Sequence, residues 1–367
     1  MTSSLSRRPL LWVMVLSFPL LLGLPGSTSV VNSQSDDTPV RKMDPKLIDE
    51  ARLRIHRGLS FLKSRQNPDG SWTDKIGRKV HYEYRGKNGK HVGVTSLACI
   101  AFLAGGSLPG VGEYGEQVER GLQYVLNNVQ GNGFITDNES RMYSHAFATL
   151  FLAEIYGMTG MSEVRSGLKR SVSLIVQGQN EQGGWRYQPG APDADMSITV
   201  CQVMALRAAH NAGIHVPKGT IDNAIRYVRN SFNPHQGAFA YQAEERHGRS
   251  RTSFALTSAG ITALYGAGVY DDPMIEAGLD HLWWSMPEKY NADRTFDYYY
   301  GLYYGTQAAF QRGGEYWVRW QKQVWRDIMF LQQKNGAWSD LVGSNYATAM
   351  ACIILQIPYQ YLPIFER

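Results

Sequence analysis

The chain has 367 residues, of which 43% are hydrophobic, enough to bury a sizeable core in one large domain. Its formal net charge of +5 is too small to indicate a nucleic-acid partner. The three cysteines, Cys99, Cys201 and Cys352, cannot all pair with one another, and each stands in an apolar context. We therefore expect buried thiols, with no disulfide or metal partners. No residue pattern indicates a cofactor.

The N-terminus has the three parts of a signal peptide within residues 1–29. Arg7 and Arg8 precede an apolar run over residues 10–24, and small residues follow it. The run is short for a membrane span, although an uncleaved anchor is the alternative, and either the general or the twin-arginine route would fit. Residues 30–44 are polar and are predicted to be a disordered linker. The sequence thus predicts an exported protein, located in the periplasm, in the cell envelope or outside the cell.

A Gln-x3-Gly-x-Trp motif occurs three times, and two weaker copies contain Phe134 and Phe239. The three complete copies are Gln66, Gly70 and Trp72; Gln179, Gly183 and Trp185; and Gln332, Gly336 and Trp338. Successive aromatic residues are 62, 51, 54 and 99 residues apart, so a missing copy is expected near residues 286–290. Repeats of this length indicate stacked units of supersecondary structure.

Amphipathic helices and uniformly apolar helices are predicted to alternate between these turns. The amphipathic helices are expected at 48–64, 118–127, 168–176, 221–228, 275–284 and 320–331. The apolar helices, which must be buried on all sides, are expected at 94–104, 145–156, 197–209, 253–265, 299–310 and 347–355. An open stack of six such pairs would expose its end faces, so we expect a closed ring. The predicted fold is an all-α α/α toroid of six helical hairpins over residues 45–367, with strands essentially absent and an open α-solenoid as the alternative.

The motif residues are expected to have a structural role in such a ring. Glycine permits a sharp exit from the outer helix. Tryptophan fills the wedge between neighbouring hairpins, and glutamine satisfies loose backbone groups at the next helix. All nine residues of the three complete copies are therefore predicted to hold the ring together.

The repeats, their period and the paired helices resemble the prenyltransferase and squalene-oxidase repeat superfamily over about residues 45–362. This superfamily includes squalene-hopene and oxidosqualene cyclases, protein prenyltransferase β subunits and the thioester domains of complement. The segment from Trp185 to Leu206, together with residues 303–307, resembles an exported subgroup that has a single toroid and generally no assigned activity.

Class II cyclases of this superfamily carry Asp-x-Asp-Asp, whose middle aspartate protonates an alkene or an epoxide. This chain has Asp193, Ala194, Asp195 and Met196 at that place. The resemblance therefore implies that Asp195 is the proton donor and that Asp193 tunes it. Methionine replaces the last aspartate, and the chain is long enough for only one of the two helical domains of those cyclases. The structural alternative is that Asp195 is the N-cap of an inner helix.

Two other signatures of the superfamily are incomplete. Zinc-dependent prenyltransferases have a cysteine two residues after their aspartate, whereas Ser197 stands there, so no metal site is predicted. Thioester domains need Cys-Gly-Glu-Gln, and Tyr114 takes the place of that cysteine.

Tyrosine is concentrated in the fifth apolar helix, where several side chains share one face. At the centre of a ring they would give a cavity of π-faces and hydroxyls, suited to an isoprenoid or another lipid-like ligand. The predicted ligand-binding residues are Tyr299, Tyr300, Tyr303, Tyr304 and Gln307, joined by Tyr143, His145, Trp185 and Phe254. The alternative is that these side chains are ordinary core.

All turns lead into the apolar helices on one rim, where six helix N-termini converge and favour an anion. Basic residues cluster at the same junctions, in the segment 75–91 and at Arg186, Arg249 and Arg294. We therefore expect an anionic head group on the ligand, with a solvated basic loop as the alternative. Peripheral association with a membrane would fit such a ligand, and the sequence leaves the oligomeric state open.

The first functional hypothesis is an exported toroid that binds an isoprenoid or lipid-like ligand in a central aromatic cavity. If it is an enzyme, Asp195 would start cyclase or isomerase chemistry by protonation. The second hypothesis is a non-catalytic binding or scaffold protein of the cell envelope, which would use the toroid face or the basic rim. A third is a carbohydrate-active enzyme, which would need a facing pair of carboxylates.

Overall fold

The computed structural model describes residues 44–80, 83–243, 251–289 and 297–365, so the predicted signal peptide and nearly all of the linker lie outside the described residues. Twelve α-helices occur in the described part of the chain. They are α1 (Pro45–Arg65), α2 (Val92–Ala104), α3 (Gly115–Asn127), α4 (Met142–Thr159), α5 (Ser162–Gln177), α6 (Met196–Asn211), α7 (Lys218–Asn230), α8 (Phe254–Gly266), α9 (Pro273–Trp284), α10 (Tyr298–Arg312), α11 (Gly314–Phe330) and α12 (Ser344–Gln356).

The even-numbered helices form a closed inner ring. Helices α2, α4, α6, α8, α10 and α12 pack against one another in chain order, and α12 packs against α2. The odd-numbered helices lie outside them, and α1 packs against both α11 and α12, which brings the two ends of the chain together. The predicted all-α toroid is thus confirmed.

The residue pattern explains which helices lie inside. Every residue of α2 is buried, as its apolar composition requires. In contrast, α7 buries only a stripe at three- and four-residue steps, consisting of Thr220, Ala224, Tyr227 and Val228. Among the described residues, none of the helices combines the length and the apolar character that a membrane span needs.

The motif residues fill the wedges between successive outer helices, and we use "wedge" for the surroundings of Trp72, Ile135, Trp185, Phe239 and Trp338, which are all buried. In the weak second copy the buried residue is Ile135 and not the predicted Phe134, which is only partly buried. Each tryptophan donates its indole N–H to a carbonyl of the preceding outer helix, at Leu62, Ile175 and Ile328. The backbone N–H groups of the three tryptophans and of Phe239 donate to threonine hydroxyls in the first turns of the inner helices, at Thr95, Thr199, Thr348 and Thr257. Each tryptophan therefore links an outer helix to the next inner helix.

Glycine and glutamine of the motif contact the following outer helix. Gly70 has φ +89°, and a Cβ there would lie 2.1 Å from the carbonyl oxygen of Arg120 on α3. The Gln66 amide donates to the carbonyls of Gly70 (3.1 Å) and Gln117 (2.9 Å). Gln179 and Gln332 make the equivalent pairs of bonds, to Gly183 and Thr220 and to Gly336 and Arg54. The last of these bonds joins the final repeat to α1.

The expectation that strands are essentially absent is wrong for one segment. The basic segment after the first motif is a β-hairpin, in which β1 (Thr73–Val80) pairs antiparallel with β2 (Glu83–Lys90). A second, two-residue pairing joins β3 (Phe232–Asn233) to β4 (Ala238–Phe239). The residues of β2 alternate little in burial, so the hairpin has no apolar period by which the sequence could predict it.

The C-terminal segment closes the end of the ring at which the inner helices finish. Two 3-10 turns, Ile357–Tyr359 and Pro363–Phe365, pack against α4, α6, α10 and α12. Leu362, Ile364 and Phe365 are buried, and the Glu154 carboxylate accepts from the Ile364 amide at 3.5 Å. The cavity beneath them measures about 20 Å³, room for roughly one water molecule.

Candidate functional site at the mouth of the ring

The opposite end, where the inner helices begin, carries the predicted acid. We call this end the mouth. Asp195 is fully buried and is the N-cap of α6, since its Oδ1 accepts from the Ile198 amide (3.0 Å) and from the Ser197 hydroxyl (2.5 Å). Its own amide donates to the carbonyl of Trp185 at 3.0 Å. The third motif copy thus positions this carboxyl. Asp195 is also the N-cap of an inner helix, which was the structural alternative.

The second carboxyl oxygen of Asp195 faces a stacked arginine. Its Oδ2 lies 3.6 Å from Arg186 Nε and accepts from the Tyr241 hydroxyl at 3.4 Å. The Arg186 guanidinium lies 5.1 and 5.5 Å from the ring centres of Tyr187 and Tyr241, and its Nη1 lies 3.5 Å from Asp193. Because both aspartates approach one guanidinium, they do not form the facing pair that glycoside hydrolysis would need.

Burial raises the pKa of Asp195, and this effect outweighs the opposing hydrogen bonds of Ser197 and Ile198 and the charge of Arg186. Arg186 Nη1 is itself buried and has no hydrogen-bond partner in the described part of the chain. The carboxyl is therefore held toward its neutral form, and a cation beside it would stabilise the carboxylate left after proton loss.

Tyrosine hydroxyls extend this network to the partly exposed surface of the mouth. Tyr143 donates to Ser197 Oγ at 2.6 Å, and Tyr300 donates to the Ser197 carbonyl at 2.8 Å. The hydroxyls of Tyr187 and Tyr241 lie 2.6 Å apart. Burial raises the pKa of Tyr143 and Tyr300 well above the ordinary range, so both hydroxyls stay protonated and act as donors.

Deeper in the ring the tyrosines fill the centre. Tyr300 meets Tyr304 edge-on with ring centres 4.9 Å apart, and Tyr304 meets Tyr303 at 4.8 Å. Tyr303 and Tyr304 are each only 1% exposed, and Phe147 packs against Tyr303. Aromatic surface is thus available at the mouth, on Tyr143 and Tyr300, while the rings below it form core.

Two predicted ligand-binding residues lie in the wedges instead. His145 accepts from the Ile135 amide through Nδ1 (3.1 Å), and its Nε2 lies 3.3 Å from the Ser171 carbonyl of α5. Burial lowers the pKa of His145 to about 4, so it is a neutral core residue in the helical position that threonine takes elsewhere. Trp185 is 1% exposed and directs its indole to α5. Both side chains contact α5 on the outside of the inner ring, His145 from α4 and Trp185 from the turn before α6, so neither faces the centre.

Three more predicted residues also lie away from the mouth surface. Phe254 stacks on Trp320 of α11, with ring centres 6.2 Å apart. Tyr299 is buried against Tyr298. Gln307 lines the small cavity at the closed end of the ring. Arg294 lies outside the described residues.

Part of the basic rim lies close to acids where it is described. Arg85 lies 3.3 Å from Glu83, and Lys90 lies 2.5 Å from Asp69. With Arg186 held by two aspartates, these contacts reduce the positive field that the sequence predicted. Arg249 lies outside the described residues.

Sequence reasoning missed residues that follow each motif glycine at a fixed spacing. The fourth residue after the motif glycine is Asp74, Asp137, Tyr187, Tyr241 or Asp340. The Tyr187 and Tyr241 carbonyls accept from the first amides of α4 and α6, which fixes these residues at the mouth. Extending the motif by two positions would have found them.

The cysteines are free and buried, as predicted, but they are not equivalent. Cys99 and Cys352 lie under glycines of the outer helices α3 and α1, at Gly121 and Gly58. Cys201 instead lies at the ring centre, with Sγ 3.1 Å from the Tyr304 hydroxyl. In the described part of the chain, no three His, Cys, Asp or Glu side chains group so as to hold a metal ion.

Comparisons with known proteins agree with this architecture. Residues 40–154 match the family model of the squalene-hopene cyclase C-terminal domain. No curated protein sequence is significantly similar to the chain.

Several solved structures have a similar fold. A variant of the type II terpene cyclase MstE from Scytonema, solved with its product merosterolic acid A, has a TM-score of 0.60 at 13% identity over 86% of this chain and 99% of that one. Cellobiose 2-epimerase from Bacillus thermoamylovorans has a TM-score of 0.63 at 15% identity, over 86% and 99%. An inactive variant of an alpha-1,6-mannanase from Salegentibacter sp., solved with alpha-1,6-mannotriose, has a TM-score of 0.61 at 8% identity, over 84% and 98%.

At these identities the likeness to solved structures is one of fold. The partial family match, the cyclase neighbours and the motif turns nevertheless agree with one another. The chain therefore has an α/α-toroid fold, and over residues 40–154 the predicted resemblance to the squalene-hopene cyclases is confirmed.

Proposed function

We propose that the chain binds an isoprenoid or similar lipid-like ligand at the mouth of the ring and that Asp195 protonates it. The observation that carries this proposal is a fully buried carboxyl, with a raised pKa, among tyrosine rings. Protonation of an alkene needs a carboxylic acid that is kept neutral until it reacts.

The surroundings of Asp195 suit the charges that such a reaction creates. The rings of Tyr143 and Tyr300 would offer their π-faces to a carbocation. Arg186 would stabilise the carboxylate, and Asp193, on the same guanidinium, would limit that stabilisation. Among proteins of similar fold, a variant of the terpene cyclase MstE is solved with geranylgeranyl dihydroxybenzoate as substrate, which supports a prenyl ligand class.

The test combines binding and turnover on the same protein. Purified chain is mixed with squalene, geranylgeraniol or geranylgeranyl diphosphate; binding is followed by fluorescence quenching, and products by gas chromatography with mass spectrometry. We expect product from wild type and from the control Asp69→Asn, and binding without product from Asp195→Asn. Undiminished turnover by Asp195→Asn would remove the acid assignment. Preference for the diphosphate would support an anionic head group.

A second candidate function is binding without chemistry, as in a scaffold of the cell envelope. It is favoured by the dense packing of Tyr303 and Tyr304, which leaves the ligand only the mouth. Wild-type binding with no product from any prenyl substrate would favour this function. If the chain binds none of these ligands, both proposals are overturned.

We further propose that the protein acts after export, with residues 1–29 removed. The basis is the sequence pattern around Arg7 and the apolar run over 10–24. Mass spectrometry of the protein from exported and cytosolic fractions tests this, because cleavage near residue 29 is expected only in the exported form. An intact N-terminus in the exported fraction would favour an anchor.

A further inference from the structure

A polar cleft adjoins the mouth at the second repeat. It has a volume of about 590 Å³ and lies between the turn that leads into α4 and the turn of the third repeat. Small-molecule sites typically measure roughly 300–1,000 Å³. The Met142 amide donates to the Tyr187 carbonyl at 3.1 Å, which brings the chain neighbours of these two residues, Arg141 and Gln188, into the same cleft. Asp195 is not among the residues that line it, so the cleft is separate from the proposed acid.

The turn that forms one wall of the cleft is held in a single shape. Asp137 accepts from the Tyr124 hydroxyl of α3 at 2.7 Å, and its amide donates to Ser140 Oγ at 3.1 Å. The Asn138 side chain donates to the Lys90 carbonyl of β2 at 2.8 Å. Contacts with α3 and with the hairpin thus fix this wall in the free protein, which reduces the conformational entropy that a ligand would have to remove on binding.

Four polar side chains of the cleft have no partner within the protein. The side chains of Gln130, Glu139, Arg141 and Gln188 line the cleft and make no hydrogen bond or ion pair in the described part of the chain. Arg141 is partly buried, and the other three are exposed. Glu139 has φ +65°, a left-handed conformation that glutamate rarely adopts. The cleft therefore offers two amides, a carboxylate and a guanidinium to a ligand.

These groups suit the hydroxyls of a sugar. Amides, carboxylates and guanidinium groups each have two adjacent polar atoms that can bind both members of a vicinal pair of hydroxyls, and together they supply donors and acceptors. Phe134, which is partly buried, is the one apolar residue among the nine that line the cleft. An aromatic ring packs well against the C–H face of a pyranose, whereas a prenyl chain would find too little apolar surface here.

The charges of the cleft do not favour an anion. The carboxylates of Asp137 and Glu139 line it together with one cation, Arg141. The start of α4 adds a partial positive charge, equivalent to about half of an elementary charge. Because these charges nearly cancel, a diphosphate would gain little on entering, and a neutral ligand fits the balance best.

We propose that this cleft binds the end of a neutral oligosaccharide, which is either free or the head group of a glycolipid. A sugar ring stacks on Phe134, and the unpartnered polar side chains hold its hydroxyls. Because the cleft adjoins the mouth, the chain of a glycolipid would lie on the tyrosines there. Sugar binding at this place does not depend on proton transfer by the acid of the mouth.

Isothermal titration calorimetry with neutral trisaccharides of glucose, mannose, galactose or N-acetylglucosamine tests the proposal. We expect at least one of them to bind to wild type. Glu139→Gln should weaken its binding about tenfold, because it removes a charged hydrogen-bond acceptor, and Gln188→Ala should weaken it about three- to tenfold. Glu181→Gln, on the exposed turn of the third motif copy and outside the cleft, is the matched control and should bind as wild type. All three substituted side chains are exposed, and circular dichroism checks that each variant is folded.

A second titration distinguishes the two sources of the sugar. It uses the dodecyl glycoside of the trisaccharide that binds, below its critical micelle concentration. Tighter binding of the glycoside than of the free trisaccharide would identify the head group of a glycolipid, and equal binding would identify a free oligosaccharide. Either result supports a sugar site in the cleft, provided that Glu139→Gln weakens binding of both ligands.

Several results would overturn the proposal. One is that no trisaccharide binds at millimolar concentration, and another is equal affinity in wild type, Glu139→Gln and Gln188→Ala. Tighter binding of trialanine or inorganic pyrophosphate than of every sugar would assign the cleft to a peptide or to an anion instead. If Asp195→Asn weakens sugar binding as much as Glu139→Gln does, the sugar lies at the mouth and not in the cleft.

Discussion

The inner helices meet two different environments at the motif turns, the wedge and the mouth. In the wedge the same bonds recur, from the aromatic amide to Thr95, Thr199, Thr257 and Thr348. At the mouth, two residues further along, the side chains differ from repeat to repeat. Contacts that recur build the ring, whereas positions that the ring does not constrain are available for a ligand. The comparison therefore predicts large stability effects in the wedge and small ones at the mouth.

The largest effect is expected from Trp185→Ala in the wedge. The indole is buried and bonded to the Ile175 carbonyl, so truncation should lower the free energy of unfolding by about 3–5 kcal/mol. Trp72→Ala should cost about as much, because its contacts are the same. Urea denaturation measures both, with Trp284→Ala, 89% exposed, as the control near zero. A much smaller loss of unfolding free energy in either variant would contradict the view that the two wedges contribute equally to stability.

His145 should make the second wedge sensitive to acid. Its pKa is about 4 in the fold and about 6.5 when unfolded, so the unfolded chain binds the proton first as the pH falls. Stability should be complete above about pH 6.5 and decline by about 3 kcal/mol on approaching pH 4. Denaturation curves at pH 7 and pH 4.5 test this against His145→Thr, which installs the residue used in the other wedges. An equal decline in that variant would exclude His145 as the cause.

At the mouth, Asp195→Ala should cost less than a wedge tryptophan. It removes the α6 cap and leaves Arg186 with only Asp193, for a loss of about 2 kcal/mol. Asp195→Asn keeps the acceptor for the Ile198 amide and should lose about half as much. Thermal unfolding measures both. A loss of stability as large as that of Trp185→Ala would mean that the mouth contributes as much to the stability of the fold as the wedge does.

The smallest stability effect is expected from Tyr143→Phe. It removes one hydroxyl that donates to Ser197, worth about 1 kcal/mol, and keeps the aromatic ring. Prenyl-ligand affinity should stay within a few-fold, whereas Tyr143→Ala, which also removes the ring, should weaken binding about tenfold or more. Equal affinities in the two variants would argue against a ligand on this face.

Several features followed from the sequence alone. The alternation of apolar and amphipathic helices placed all twelve helices, because burial on every side or on one stripe leaves a periodic trace in the residues. The Gln-x3-Gly-x-Trp copies marked the turns, and Asp193-Ala-Asp195 marked the place where a motif copy leads into an acid. All of these are local patterns, which a chain carries whatever it packs against.

Other features were decided only by the tertiary structure. The direction in which His145 and Trp185 point depends on helix rotation by a fraction of a turn, which no residue count fixes. The β-hairpin has no buried face to impose an apolar period, and its Asp74 meets Asn345 across 271 residues of chain. The raised pKa of Asp195 likewise depends on burial by neighbours from other repeats, among them Tyr241. The sequence determined the ring of helices. The rotation of each helix about its axis and the contacts between distant repeats decided which side chains meet at the mouth.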